Sequence, residues 1–291
     1  MRKQLLILVV LLVAATVGHA AENEAFQVLL VNDDGIDAPG LAALVDVLTA
    51  DPSYRVVVVA PAEQQSGKGS ALTLRDDIVL KPCSPRSGVA RWSVSATPAT
   101  AVRVGLEFVL ADDPPDLVLS GINRGENVGR IAWYSGTVGA AREAALRGFP
   151  AIAFSMQLNW ADPNPDFHSA ARWAKPIVDA VRENPLPDGV YLNVNMPIDA
   201  QHARGYRLCR MGLERPHVSG FEVVSTRGEG VLLKGKWAPA RSNELGSDVK
   251  ALHDGFVAMA PLGLDSTSYA ALAELPVLMR LPPPVGEVVG D

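Results

Sequence analysis

Cysteine is nearly absent: Cys83 and Cys209 are the two thiols in a chain of 291 residues. Two cysteines make neither a disulfide framework nor a zinc site, and the sequence alone leaves open whether they meet. Histidine is scarce as well, with five residues scattered at 19, 168, 202, 217 and 253 and no H-E-x-x-H pair among them. Zinc-hydrolase chemistry therefore has no anchor. No G-x-S-x-G turn offers a serine nucleophile. Ser66-Gly67-Lys68-Gly69-Ser70 resembles a fragment of a phosphate loop, but Ala62 stands where the first glycine is required. There is no internal repeat, coiled-coil heptad, low-complexity tract or run of Lys and Arg. Basic residues number 26 against 32 acidic ones, a net charge of −6. Such a chain is unsuited to coating long nucleic acid, though it can hold a single phosphate through metal ions and backbone amides. What remains is 48% hydrophobic and 20% charged, the balance of a globular protein.

The N-terminus stands apart. Arg2 and Lys3 precede an apolar run from Leu5 to Val17, and Gly18-His19-Ala20 follows. That is the order of a secretory signal, with cleavage expected after Ala20. The run is short for a bilayer span, so no stable membrane insertion is expected. No cysteine flanks the cleavage site, so no lipid anchor is expected either. The expectation is export to the periplasm of a Gram-negative-type cell. The alternative is a cytoplasmic chain that keeps this segment as an anchor or a buried first helix.

Beyond it, apolar strand-like runs alternate with helical patterns. Phe26 to Val31, Arg55 to Ala60, Leu117 to Leu119, Ala151 to Phe154 and Val190 to Val194 read as strands. Pro39 to Leu48, Val138 to Leu146 and Ala170 to Arg182 read as helices, with Pro39 suited to a first turn and Gly148 to a stop. Continuous apolar strands alternating with helices predict an α/β fold: a doubly wound, mostly parallel sheet covered on both faces. Ile78–Leu80 and Trp92–Val94 read as an inserted hairpin. After Pro197 the pattern turns to short strands with Gly and Pro, such as Val231 to Lys236 and Phe256 to Met259, and a last helix near Ser268 to Ala273. The expected division is a signal over 1–20, a core over 21–197, and a β-rich extension over 198–291 used in assembly.

Ligands of a doubly wound sheet gather beyond the carboxyl ends of its strands. The first strand ends in Asn32-Asp33-Asp34-Gly35, the second runs into a loop with Ser66, and the third ends in Ser120-Gly121-Ile122-Asn123. Neighbouring aspartates repel unless a cation neutralises them, and oxygen-only donors suit a hard ion such as Mg²⁺ or Mn²⁺. Taken singly, Asn-Asp-Asp-Gly also reads as a plain turn; three polar strand ends on one edge favour a metal site. Tyr134-Ser135-Gly136-Thr137 precedes the helix read from Val138, whose free amides and positive dipole end attract anions, although a Ser/Thr cap has the same look. A cation cluster beside such a nest points to phosphoryl hydrolysis.

The blocks VLLVNDDGIDAPGLAAL, VVVAPAEQQSGKGSALTL, PDLVLSGINRGENVG and YSGTVGAAREAALRGFPAIAFS resemble, in order and spacing, the SurE family of 5′/3′-nucleotidases. LNVNMP and GSDVKALHDGFVAMAPL are similar to its later landmarks, so the likeness runs from about Val28 to Leu262. The resemblance implies a Rossmann-like core with a C-terminal extension exchanged between subunits, in a homodimer or homotetramer. It implies one divalent cation on Asp33, Asp34, Ser66 and Asn123. Substrate would lie against Asn127, Ser135, Gly136 and Thr137, with Asp33 or Asp34 also able to serve as base or nucleophile. The implied substrates are nucleoside 5′- and 3′-monophosphates. Two departures stand out. The family's Gly-Thr-Pro-x-Asp reads Ala96-Thr97-Pro98-Ala99-Thr100, without its acidic residue, and the signal differs from the family's cytoplasmic habit. Rival readings are an exported nucleotide-binding protein without turnover, and a phosphatase of other monoesters or short polyphosphate. Trp133 and Tyr134 either stack on a base or pack in a core.

Overall fold

The computed structural model describes residues 25–159, 161–213, 218–237 and 241–274. The expected leader, residues 1–20, lies outside them, as do His19 and His217. In chain order the strands are β1 (Phe26–Val31), β2 (Tyr54–Pro61), β3 (Leu80–Arg86), β4 (Val89–Val94), β5 (Leu117–Arg124), β6 (Ala151–Met156), β7 (Val190–Met196), β8 (Tyr206–Leu208), β9 (Val218–Arg227), β10 (Gly230–Trp237) and β11 (Val257–Gly263). The α-helices are α1 (Pro39–Thr49), α2 (Pro98–Val104), α3 (Gly136–Leu146), α4 (Phe167–Glu183), α5 (Asp248–His253) and α6 (Tyr269–Glu274).

Nine strands form one sheet in the order β3-β4-β2-β1-β5-β6-β7-β11-β8. The run from β4 to β7 is parallel throughout, β11 is antiparallel to β7, and β3 is antiparallel to β4. Alternate side chains of each central strand feed opposite faces. Val28 and Leu30 enter one core with Leu41, Leu44, Ile177 and Val178 of α1 and α4, whereas Leu29 and Val31 enter the other with Val102, Val138 and Ala141 of α2 and α3. A strand covered on both faces must be apolar at every position, which is why these runs were readable from the sequence. The doubly wound α/β architecture is thus observed.

The inserted hairpin exists with different bounds. Its strands are Leu80–Arg86 and Val89–Val94, turning at Ser87 and Gly88, both with positive φ. Moreover, β4 joins the main sheet parallel to β2. Pro82 and Pro85 disguise β3 as loop; the strand tolerates them because it lies at the sheet's edge. Cys83 lies on this edge and Cys209 immediately follows β8 at the opposite one, so both are free thiols, separated by roughly 35–40 Å of strand spacings.

Beyond residue 197, β11 and β8 extend the main sheet, while β9 and β10 form a separate antiparallel hairpin. On this hairpin Phe221, Val223, Val224, Val231, Leu232 and Leu233 are exposed. Among the described residues, no helix is long and apolar enough to cross a membrane.

Candidate active site

From β1 the chain runs to β2 and β4 on one side, then returns to β5 on the other side of β1. The connections leaving β1 and β5 therefore run to opposite sides, opening the crevice in which such sheets receive ligands. The turn after β1 is braced by Asn32, which is fully buried. Its Nδ2 donates to the Gly35 carbonyl at 2.8 Å and its Oδ1 accepts from the Gly35 amide at 3.2 Å. Asp33 and Asp34 stand on this turn.

Three other segments meet the aspartate pair. From α3, the Thr137 hydroxyl donates to Asp33 Oδ1 at 2.6 Å. The Thr137 amide also favours the Asp33 carboxylate, so the positive end of this helix faces Asp33. A Cβ at Gly136 would sit 2.8 Å from Asp33 Oδ2, so glycine alone lets the helix approach this closely. From the loop after β2, the Gln65 amide donates to the Asp33 carbonyl at 2.7 Å, and Gln64 bonds Asp34. Ser66, the next residue, is exposed. From β5, the Arg124 amide donates to Asp34 Oδ2 at 2.8 Å, beside buried Asn123. Asn123 spends its Nδ2 on the Gly125 carbonyl at 2.7 Å, leaving Oδ1 as its acceptor. Gly136, Thr137, the Gln64–Gln65 segment and the end of β5 at Arg124 thus meet Asp33 and Asp34, with Asn123 and Ser135 next to these contacts and Ser66 next in the chain after Gln65. The Thr137 hydroxyl is committed to Asp33, while Ser135 caps α3, its Oγ accepting from the Val138 amide at 3.1 Å.

Burial, then repulsion from Asp34, pushes the Asp33 carboxyl from its ordinary 3.8 up to about 6. Asp34 is also raised, chiefly by burial. Two adjoining acids held away from water fit a divalent cation, which would relieve both penalties. Among the described residues no group of three His, Cys, Asp or Glu side chains gathers to hold a metal. The pair would therefore need neutral oxygens such as those of Ser66 and Asn123 to complete a donor set.

Asn127 sits slightly apart, over the ends of β6 and β7. Its amide donates to Asn195 Oδ1 at 2.7 Å, its Nδ2 to Ser155 Oγ at 2.8 Å, and its carbonyl accepts from Asn193 Nδ2 at 2.8 Å. Ser155 is paired in register with Asn123 on one side and Asn195 on the other. That register depends on an irregularity between Ser120 and Asn123. Gly121 there takes φ 137°, with no room for a Cβ against the Phe154 carbonyl. Sequence reasoning missed Ser155, Asn193 and Asn195. Two asparagines spaced by two in an otherwise apolar strand were the available signal, since that spacing puts them on one face. Ser120 Oγ, Asn193 Oδ1 and Asn195 Nδ2 are buried without a hydrogen-bond partner among the described residues. Protein interiors seldom leave such atoms unsatisfied away from a ligand site.

Thr100, the last residue of Ala96-Thr97-Pro98-Ala99-Thr100, is buried and bonded. Its hydroxyl accepts from the Thr73 amide at 2.8 Å and meets the Thr97 hydroxyl at 2.9 Å, fastening the loop beyond Ser66 to α2. Trp133 and Tyr134 are not core residues: they are 49% and 56% exposed, and the Arg142 guanidinium lies 5.0 Å from the Trp133 ring centroid.

Residues 28–217 match the family described as survival protein SurE. This chain belongs to the SurE family. It is 39% identical to the 5′-nucleotidase SurE of Desulfatibacillum aliphaticivorans over 250 residues, covering 86% of this chain and 96% of that one. With the 5′-nucleotidase SurE of Ectopseudomonas mendocina it shares 40% over 251 residues, covering 84% and 95%. The crystal structure of the SurE protein from Aquifex aeolicus superposes with a TM-score of 0.72 at 34% identity, over 87% of this SurE-family chain and 99% of its own.

Proposed function

We propose that this SurE-family chain is a divalent-metal-dependent phosphomonoesterase that hydrolyses nucleoside 5′- and 3′-monophosphates to nucleoside and phosphate. The observation carrying this reading is the convergence of the β2 loop, the β5 end and the α3 N-terminus on buried Asp33 and its half-buried neighbour Asp34, at the switch point of the sheet. Asp33, Asp34, Ser66 and Asn123 would hold one Mg²⁺ or Mn²⁺. When bound, the ion supplies charge for phosphoryl oxygens and a lowered pKa for water. The Thr137 hydroxyl fixes the orientation of the Asp33 carboxylate. The first amides of α3, around Ser135 and Gly136, face the phosphate and stabilise the charge that develops on it. Asn127, held by three neighbours, presents a rigid edge to the substrate.

The experiment is phosphate release from AMP and 3′-AMP by purified protein, with EDTA and with Mn²⁺ or Mg²⁺ restored. Metal-dependent turnover is expected. Tight AMP binding without release would leave a binding protein, and release from p-nitrophenyl phosphate or short polyphosphate alone would leave a non-nucleotide phosphatase.

The same reading extends to assembly and compartment. The apolar side chains exposed on β9–β10 favour packing against a second copy, giving a homodimer or homotetramer. Light scattering that shows an active monomer at micromolar concentration would contradict it. The Arg2-Lys3 start, the Leu5–Val17 run and Ala20 favour export to the periplasm. Osmotic-shock fractionation followed by N-terminal sequencing should find a chain beginning Ala21-Glu22; full-length protein in the cytosol would reverse this.

A further inference from the structure

We infer that Asp248 is a positioning residue for the active-site loop 125–129, tying that loop to the base of the β9–β10 hairpin. The inference rests on the nucleotidase reading of the crevice. Asp248 is fully buried at the start of α5. Its Oδ2 accepts from the Gly129 amide at 3.0 Å, and its Oδ1 from the Gly212 and Val249 amides, each at 2.8 Å. Gly212 lies before the hairpin in the chain and Asp248 after it. The two flanks are joined below the hairpin as well. The Arg210 amide donates to the Gly246 carbonyl at 3.0 Å and the Asp248 amide to the Arg210 carbonyl at 3.0 Å, while Arg210 and Glu244 form an ion pair.

The loop is therefore held twice. Asn193, Asn195 and Ser155 grip Asn127 from the main sheet, and Asp248 grips Gly129 from the segment that bears the hairpin. Val128, between the two points, packs in a small cluster with Cys209, Val249, Leu252 and Ala258. Only a carboxylate suits this position. Both of its oxygens meet N–H donors, whereas an asparagine would turn its own NH₂ group toward one of them. Removing the charge frees the Gly129 end of the loop while the sheet and the aspartate turn keep their contacts. A site displaced by a fraction of an ångström loses turnover more than it loses stability.

The test compares Asp248→Asn with Val249→Ala, which loosens the same cluster without touching the hydrogen bonds. Amide hydrogen exchange is read across 125–129, and kcat and KM are measured for AMP and p-nitrophenyl phosphate with Mn²⁺ present. In Asp248→Asn, exchange at 125–129 should accelerate while that of β1 and β5 stays slow, and kcat should fall about ten- to a hundredfold on both substrates. Val249→Ala should lower Tm and leave kcat within about twofold. If Asp248→Asn does not fold, Asp248→Glu, which keeps charge and acceptors but shifts them by one methylene, is read the same way and should show a smaller loss. Wild-type exchange at 125–129 in the variant, or unchanged kcat beside a lowered Tm, overturns the inference. If the wild-type protein fails to hydrolyse AMP, the nucleotidase reading falls on its own, and the exchange comparison still decides whether Asp248 holds the loop.

Discussion

Asp33→Asn should make the metal-free protein more stable and the metal-replete protein inactive. Asp33 is 3% exposed, and its carboxyl pKa moves from 3.8 up to about 6, first through burial and then through Asp34. Between those values the folded state holds a proton that the unfolded chain has released. The group is therefore least costly in acid; stability falls as pH rises from about 4 to about 6 and stays reduced above that window. The displacement corresponds to roughly 3 kcal/mol at pH 7 and above. An amide has no charge to desolvate, and its carbonyl oxygen still accepts the Thr137 hydroxyl. Urea titration in EDTA should find the variant more stable than wild type by roughly 1–3 kcal/mol near pH 8, with the gap closing near pH 4. Added Mn²⁺ should then stabilise the wild type by mass action and leave the variant unmoved. A variant less stable than wild type in EDTA at pH 8, or a gap that persists in acid, would refute the reasoning.

Gly136→Ala should abolish most phosphatase activity at little cost to the far-ultraviolet spectrum, because its Cβ would arrive 2.8 Å from Asp33 Oδ2; full activity would show that α3 does not abut the aspartate. Trp133→Ala should raise KM for AMP about tenfold and leave glycerol 2-phosphate, which has no ring to stack, unaffected, the loss of one base-stacking contact being worth about 1–3 kcal/mol. Equal changes on both substrates would show that Trp133 does not contact the base. Ser120→Ala removes a buried hydroxyl that has no partner among the described residues. Thermal melting should find it neutral or more stable by about 1 kcal/mol, and a loss above that would place a hidden hydrogen bond at Ser120.

Most of the central sheet was legible in the sequence for one physical reason. Val28 to Val31 and Val58 to Ala60 are buried on both faces, so they cannot disguise themselves among polar residues. β1 has the bounds read from the sequence, and α1 starts at Pro39 as expected. The edges hid better. β3 carries prolines that a central strand would refuse, and β8 has three exposed residues and no apolar pattern. The aspartate pair was legible as adjacent acids after a buried strand. Its environment was not: Thr137 reaches Asp33 from 104 positions along the chain, and no local pattern reports such a pairing. Asp248 was hidden for the same reason, since its partners Gly129 and Gly212 lie on loops with no mutual periodicity.

The place of β1 in the sheet bears on how the molecule comes into being. It is the first described strand in the chain, yet it stands fourth of nine in the sheet, flanked by β2 and β5. Its seam with β5 begins where the Gln27 amide meets Asp116, 89 positions onward. A chain emerging N-terminus first, whether from a ribosome or through a narrow channel, thus presents an interior strand of the sheet long before its second neighbour arrives. Until then an apolar strand has one side open, and the sheet is completed from the middle only when more than a third of the chain is available. Such long-range closure is slow compared with hairpin or helix formation. It keeps the growing polypeptide threadable, and it leaves an adhesive strand in need of a chaperone while it waits.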